Sequence, residues 1–390
     1  MFHVIPSNQL SLLVAPLSLL LALPKQHVLA PDWVLVPHRG MQHWLSMALA
    51  EKPDRLICMN IDMQLPASGF WRLVHDILGD SGADDSAHWR RESLVWRLFH
   101  LLARPDVVND PAMDEPTRYW QGGGVSQQGL KRFQLAEQLA DLFEQYLIYR
   151  PDWIRQWKTA HHSHWQSQLW QHLVDEAGDH PLDLIDKAIA QAQTPKTPLP
   201  DRIFLFAVNN LAPLWLDFLH ALSDQAGLDV HLLYLNPSDE YWEDHVSERR
   251  VAQMRAKWLE EGSLESILDT GNPLLSSLGT QGQAFIRLLS DRADLETACF
   301  SAPPEAAEDR NCLQHLQHDV LVLNDRTQSP TPQIDDSIRL VSAHSALREV
   351  QALHDWLLGC FNDQPDLKPR DVVVMCPNIE AYAPFIEAVF

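Results

Sequence analysis

Apolar residues recur along the chain in two patterns, short continuous runs and repeats with helical spacing. Four short runs, at 2–5, 33–36, 203–208 and 230–235, are typical of strands buried on both faces of a parallel sheet. Stretches with apolar residues three or four positions apart follow three of these runs, after residues 5, 36 and 208. This strand-then-helix order predicts an α/β fold with a parallel sheet.

The apolar stretch at residues 10–24 has two interpretations. A secretory signal combines a basic leader, an apolar core and a small-residue cleavage site. Residues 1–9 contain no Lys or Arg, and Pro16 interrupts the apolar core. We therefore predict a turn at residues 6–8 followed by a buried helix. The alternative is an exported binding module from which residues 1–30 are removed.

Residues 60–71 are predicted to form a loop, because Pro66 and Gly69 are residues that interrupt regular structure. Aromatic side chains in a loop can be exposed in a way that core aromatics cannot. Trp71 is therefore a candidate for contact with a ligand.

The pattern becomes helical between about residues 90 and 190. Leu135, Leu139 and Phe143 mark one long helix, which we expect to end at Arg150, because proline follows. Before it, the prolines and glycines of residues 105–124 predict a loose surface loop.

The last third of the chain repeats the α/β pattern. The sequence Gly271-Asn272-Pro273 is typical of a helix start, with Asn at the cap and Pro in the first turn. Runs at 338–342 and 372–375 predict two further strands on either side of a helix over 347–361.

These elements suggest an α/β domain that is interrupted by helices. We predict a first α/β part at 1–75, a helical insertion at 76–198 and a second α/β part at 199–325. Residues 335–390 would begin a second α/β domain. The layout is that of a helicase motor.

The charge balance limits the classes of function. The chain has 30 Lys and Arg against 52 Asp and Glu, a formal net charge of −22. Electrostatic repulsion would oppose phosphate over most of such a surface, so a nucleic-acid site must be local. The five cysteines are few, odd in number and scattered, which favours a reducing compartment.

A helicase motor needs a phosphate loop after its first strand and an acidic residue at a strand end to hold magnesium. Here Ser7 and Asn8 follow the first strand, and no Gly-Lys-Ser or Gly-Lys-Thr occurs anywhere. The strand at 203–208 ends in the neutral pair Asn209-Asn210. We therefore expect no ATP hydrolysis by this chain. A nucleotide hydrolase with an atypical phosphate loop is the alternative.

Two further residue sets resemble catalytic or metal sites but are incomplete. The turn at 365–368 resembles a nuclease spacing but has no partner acid on a nearby strand. The set Cys299, Cys312, His315 and His318 lacks the closely spaced cysteine pairs typical of zinc sites. We predict no catalytic, metal or cofactor residue in this chain.

Several long strings resemble the RecC family, the gamma subunits of exodeoxyribonuclease V. They are NIDMQLPAS at 60–68, DLFEQYLIYRPDWIRQW at 141–157, HLLYLNPSDEYW at 231–242, GNPLLSSLG at 271–279 and RDVVVMCPNIEAYAPFIEAVF at 370–390. The resemblance runs from end to end in the family's order, and family members are much longer. It implies a degenerate superfamily 1 helicase-like (P-loop NTPase-like) fold without ATPase motifs. It also implies a cytoplasmic partner of RecB and RecD, which use ATP and magnesium, and no membrane contact.

The resemblance further implies contact with duplex DNA ends, guidance of the single strands, and inspection of one strand for the Chi octamer. The matching positions are Leu65, Trp71, Asp141 and Leu142, and Glu144 keeps an acid of the family. Pro37, Arg39 and His43 depart from the family's pattern. Arg39 and His43 follow a strand where α/β sheets place ligand contacts, and Arg39 can make a forked contact to guanine or phosphate.

Overall fold

The computed structural model describes residues 1–25, 27, 29–51, 58–79, 89–122, 124–159, 164–178, 180–245, 271–304, 306–325 and 333–390. The chain divides into two compact units. The first contains Met1–Pro303 and His318–Ser329, and the second contains Pro304–Gln317 and Pro330–Phe390.

The first unit is built on a six-stranded sheet with the order β3-β2-β4-β5-β1-β6. Every neighbouring pair of strands is parallel, as predicted. The strands are β1 (Phe2–Ser7), β2 (Asp32–Leu35), β3 (Ile61–Gln64), β4 (Arg202–Phe206), β5 (Asp229–Leu235) and β6 (Leu295–Glu296). The four predicted runs correspond to β1, β2, β4 and β5, whereas β3 and β6 were not predicted.

Sixteen α-helices are described. They are α1 (Val14–Ala22), α2 (Arg39–Ala50), α3 (Pro66–Leu78), α4 (Arg91–Leu101), α5 (Pro105–Val108), α6 (Asp114–Gln121), α7 (Val125–Tyr149), α8 (Pro151–Thr159), α9 (Trp165–Ala177), α10 (Pro181–Ala190), α11 (Pro213–Ala226), α12 (Pro273–Leu278), α13 (Thr280–Ser290), α14 (Cys312–Leu321), α15 (Ala346–Asp363) and α16 (Ile379–Val389). We call α4–α10, which lie between α3 and β4 in sequence, the helical region.

Apolar side chains project from both faces of the sheet into two core clusters. Trp33 and Leu35 of β2 join a core cluster that includes residues of α3, α11 and the helical region. Val34 and Val36 join a second cluster with residues of α1 and α2. Since successive side chains of a strand point to opposite faces, burial of both faces explains the continuous apolar runs. The predicted strand and buried helix at the start of the chain are also confirmed, with Leu17 fully buried in α1. The turn predicted at residues 6–8 is wrong, because Pro6 and Ser7 belong to β1 and the turn lies at residues 10–13.

The prediction of a loop over residues 60–71 is wrong. These residues form β3 and the start of α3. Pro66 occupies the first turn of α3, where its missing N–H has no helical partner to lose. A Cβ added to Gly69 would lie 2.3 Å from Cδ2 of Leu35, so glycine here lets α3 approach β2 closely. Both residues support the helix that they were taken to prevent.

The loose loop predicted over residues 105–124 is also wrong in its described part. Pro105 begins α5, Pro111 begins a short 3-10 helix at Pro111–Met113, and Pro116 lies in the first turns of α6. Proline is tolerated at these positions because the first turn does not use the N–H. Gly123 lies outside the described residues.

Other predicted elements are confirmed. The long helix α7 ends at Tyr149, just before Arg150 and the next proline. Asn272 caps α12 by accepting hydrogen bonds from the backbone N–H groups of Leu274 and Leu275. The helix predicted there is divided at Gly279, which lies against the ring of Trp242.

The second unit contains α15 and α16, which contact each other. The hydroxyl of Tyr382 donates to Oε2 of Glu349 over 2.8 Å.

The strands predicted at 338–342 and 372–375 are wrong: both stretches are described and neither forms a strand. Extended segments become strands only when a neighbour pairs with their N–H and C=O groups. In the described part of the chain no strand pairs with residues 338–342, and Leu340 is 94% exposed. The domain boundaries at 75, 198 and 325 stay predictions.

Candidate functional site

A cleft of about 770 Å³ opens at the carboxyl edge of the parallel sheet. The loops that follow β1, β2, β3 and β4 line it together with the end of β5 and residues of α12 and α13. In open α/β sheets, ligands bind outside the carboxyl ends of the strands. The cleft is therefore the candidate functional site of the first unit.

Side chains from α2 fix the two loops on one side of the cleft. His38 caps α2, and its Nδ1 accepts a hydrogen bond from the backbone N–H of Met41 over 3.1 Å. Gln42 donates through Nε2 to the carbonyl of Met63 in β3 over 2.6 Å. These contacts connect the start of α2 with the strand that leads into Leu65.

The loop after β4 forms the opposite side. Asn209 accepts a hydrogen bond from the backbone N–H of Leu235 at the end of β5 over 2.8 Å. Ala207 has a φ of 56°, a left-handed conformation that costs a non-glycine residue energy. The chain turns sharply here, which directs Asn209 towards β5 and leaves Asn210 exposed.

The loop after β1, where a phosphate loop would lie, has its polar side chains occupied. Ser7 is fully buried, and its hydroxyl donates to the carbonyl of Gln9 and accepts from the Gln9 N–H. Asn8 makes two hydrogen bonds with the backbone of Ser301, at 2.7 and 3.0 Å. Neither side chain is directed at an open anion site.

The described residues that line the cleft include no Asp, Glu, Lys or Arg. They are Leu10, Pro37, His38, Met41, Pro66, Ala207, Val208, Asn209, Asn210, Tyr234, Leu235, Leu278, Gln281, Gly282, Phe285 and Ile286. Burial raises the pKa of the Tyr234 hydroxyl, which therefore stays neutral. A triphosphate with magnesium calls for cationic and carboxylate groups, and this lining offers neither.

The predicted site residues nearest this edge lie on α2 and at the start of α3. Arg39 and His43 are exposed and one helical turn apart on α2, so they share a face. Leu65 caps α3 with 40% of its surface exposed, next to Pro66 in the cleft lining.

The expectation that Trp71 lies exposed in a loop is wrong. It is a half-buried residue of α3 that packs against the main core cluster. Its ring meets the edge of Trp215 from α11 with centroids 5.6 Å apart. Phe70, its neighbour, is fully buried and stacks on the same Trp215 at 4.9 Å. Trp71 is therefore partly a core residue.

The predicted residues on α7 lie in the helical region. Both Asp141 oxygens accept hydrogen bonds from the guanidinium of Arg91 on α4. These bonds hold the pKa of the Asp141 carboxyl below its usual range. Leu142 is half-buried and Glu144 is exposed. Asp141 thus holds a neighbouring cation in place.

The structure groups Arg39, His43 and Leu65 around one edge of the sheet, whereas Asp141, Leu142 and Glu144 lie on α7. Sequence reasoning missed two partners, Arg91 and Trp215. Arg91 lies 50 positions from Asp141, and a single sequence contains no signal for a pair at that distance.

The described part of the chain lacks both a clustered metal site and a membrane-spanning helix. It contains no group of three or more His, Cys, Asp or Glu side chains able to hold a metal ion. None of the helices in that part has the length and apolarity needed to cross a bilayer.

Comparison with known proteins gives consistent matches. Residues 2–323 match the family model described as RecC, N-terminal domain. The chain is 32% identical over 442 aligned positions to the RecBCD enzyme subunit RecC of Escherichia coli K12, and 31% identical over 451 to that of Haemophilus influenzae. The corresponding subunit of Mycolicibacterium smegmatis is 30% identical. All of this chain aligns, covering 38%, 39% and 34% of those relatives, so it spans little more than a third of their length.

Proposed function

This chain belongs to the RecC family, and from that premise we propose that it acts as a DNA-handling scaffold in a RecBCD-type helicase–nuclease. It holds RecB and RecD, which supply ATP- and magnesium-dependent chemistry, and works with them in the cytoplasm on duplex ends and single strands. The relatives' printed name, RecBCD enzyme subunit, supports a place in such a complex.

We infer a degenerate superfamily 1 helicase-like fold that has no nucleotide hydrolysis of its own. The observation that supports this most is the uncharged lining of the carboxyl-edge cleft. Ser7 and Asn8, at the position of a phosphate loop, are committed to bonds within the protein. A triphosphate would lose its hydration there without gaining compensating charge.

The experiment that tests the absence of catalysis measures magnesium-dependent ATP turnover by the purified protein without RecB and RecD. We expect no turnover above a protein-free blank. Turnover that saturates with ATP, and that is lost when Asn209 is replaced by Leu, would support the alternative nucleotide hydrolase.

For Chi inspection, we propose that the unwound strand follows the carboxyl edge past Arg39, His43 and Leu65. Arg39 would contact guanine or phosphate, because its guanidinium is exposed at the first turn of α2. Leu65 would shape the path with its exposed side chain. Trp71 offers only its exposed part to a base, and Asp141 with Arg91 would fix the position of α7 beside Leu142 and Glu144.

Substitution of Leu65 by Ala in the full RecBCD-type complex tests this path. We expect unwinding to continue at a near-normal rate while the response to Chi weakens. Trp71→Ala should act likewise, and Trp71→Phe, which keeps an aromatic ring against Trp215, should act less. Leu19→Ala on α1 is the matched control, since Leu19 is exposed and does not line the cleft. An unchanged Chi response in the Leu65 and Trp71 variants would contradict the assignment.

A further inference from the structure

The helical region carries a second surface, which none of the proposed site residues occupies. Its aromatic and cationic side chains come from α4, α6 and the first turns of α7. We call it the aromatic–cation face, and its members are Trp96, Phe99, Tyr119, Lys131, Arg132 and Phe133.

Three rings of this face pack into one cluster. Trp96 lies 5.5 Å from Phe133 and meets Phe99 edge-on at 5.8 Å, centroid to centroid. Phe99 and Phe133 are half-buried beneath it, whereas Trp96 is 55% exposed. The cluster thus holds a large indole in a fixed place and leaves more than half of it free.

Cations extend the cluster towards α6. The Arg132 guanidinium lies 4.0 Å from the Phe99 ring centre and 5.3 Å from that of Trp120. Its Nε is buried and has no hydrogen-bond acceptor among the described residues. Lys131 lies 6.0 Å above the ring of Tyr119, which is 51% exposed. Two exposed rings therefore flank two adjacent cations.

The charge of this face differs from that of the chain as a whole. The formal net charge is −22, yet residues 93–105 and 116–136 contain no Asp or Glu. Two nearby acids are already paired, Asp114 with Arg118 and Glu137 with Arg91. Glu92, one turn before Trp96, and Glu115 are exposed acids at its border. In these segments of the chain, acidic side chains therefore lie at the border of the face and not within it.

We propose that the aromatic–cation face binds single-stranded nucleic acid. Bases would stack on Trp96 and Tyr119, while Lys131 and Arg132 would neutralise the phosphates between them. Sites for single strands combine stacking rings with cations in this way, and stacking needs bases that are not already paired. The face uses no residue of the carboxyl-edge cleft, so the inference does not depend on Chi inspection there.

The test measures binding of a fluorescein-labelled oligothymidylate to the full-length protein, followed by anisotropy over a salt series. Trp96→Ala with Tyr119→Ala removes both exposed rings, and we expect binding to weaken by about tenfold or more. Lys131→Gln should weaken binding less and reduce the slope of log affinity against log salt by roughly 0.7, the value for one phosphate contact on a single strand.

Two matched variants separate this proposal from general effects. Trp356→Ala removes a 44% exposed Trp from α15 in the second unit and should leave oligothymidylate binding unchanged. Trp96→Phe should restore most of the binding lost in Trp96→Ala, because a ring remains against Phe133.

Photocrosslinking in the assembled complex supplies the second measurement. An oligonucleotide carrying iodouracil should crosslink to Trp96 or Tyr119, and this crosslink should persist in Leu65→Ala. Unchanged affinity for oligothymidylate in the double variant would overturn the proposal. If the double variant also lost a co-purifying protein subunit, this face would be a protein interface.

Discussion

Arginine residues occur in both the parallel sheet and the helical region, but their surroundings differ. Arg202 begins β4, is 7% exposed, and donates from Nε to Asp32 of β2 over 2.9 Å. Its Nη2 reaches two carbonyls at the end of α1. Arg104 in the helical region is half-exposed and pairs with Asp106 and Glu176 at the surface.

This difference shows where charge contributes to stability. A buried ion pair whose partner is removed leaves a charge that neither water nor protein compensates, whereas an exposed pair is replaced by water at little cost. The fold therefore depends on the buried Arg202 pair of the sheet, whereas the exposed Arg104 pairs of the helical region contribute little to stability.

Replacement of Arg202 by Met should have the largest effect. Asp32 is 5% exposed, and among the described side chains it would keep only Lys25, at 3.0 Å, as a partner. We expect the free energy of unfolding to fall by about 3–5 kcal/mol, the usual cost of breaking a buried pair. Urea denaturation followed by tryptophan fluorescence measures it.

Arg104→Met is the matched control, and it should shift the urea midpoint very little. Equal shifts in the two variants would contradict the distinction between sheet and helical region. A smaller effect for Arg202→Met, with Lys25→Met then severe, would show that Lys25 alone compensates Asp32.

The sheet was largely predictable from the sequence because strands that are buried on both faces are continuous apolar runs. Runs such as residues 203–208 are apolar at nearly every position, and no other element needs that. The strand β3 was missed since its residues are only half-buried and alternate with polar ones. Gly69 misled the prediction, because a glycine needed for close packing looks the same in sequence as one needed for a turn.

The candidate site was predictable only in part. Arg39 and His43 follow a strand, and local order alone places them at the carboxyl edge. The burial of Trp71 depends on Trp215, which lies 144 positions later in the chain, as the difference 215 − 71 shows. Pairings of this kind follow from how helices pack, and no local pattern encodes them.

A second comparison is between the buried histidines of the sheet and an exposed histidine of the helical region. His231 of β5 is 4% exposed, and its Nδ1 lies 3.2 Å from Nδ1 of His3 on the neighbouring strand β1. Burial, and then the nearby His3, lowers the pKa of His231 from 6.5 to about 4. Burial also lowers the pKa of His3. Between pH 6.5 and 4 the unfolded chain therefore binds more protons than the folded one.

Stability should accordingly be full above pH 6.5 and decline as the pH falls towards 4. The shift of His231 alone corresponds to roughly 3 kcal/mol. Urea midpoints at a series of pH values measure the slope, and His231→Phe should flatten it. The exposed His100 of α4 is the control, because His100→Phe should leave the slope as it is. A slope of opposite sign would show that the histidine pair is charged in the folded protein.

Replacement of a glycine by alanine should have the smallest effect on the free energy of unfolding. The sign of that effect should differ between the sheet and the helical region. At Gly69, facing the sheet, the new Cβ would lie 2.3 Å from the buried Leu35 side chain, and we expect a loss of about 1–3 kcal/mol. At Gly129 of α7, an added Cβ would have no described atom within 4 Å apart from its own stretch of helix backbone. There alanine only improves helix propensity, so the free energy of unfolding should rise by about 0.5–1 kcal/mol. Thermal unfolding of both variants beside the parent measures the two signs. If Gly69→Ala were also stabilising, α3 would have room to move away from β2, and close packing would not be the reason for glycine there.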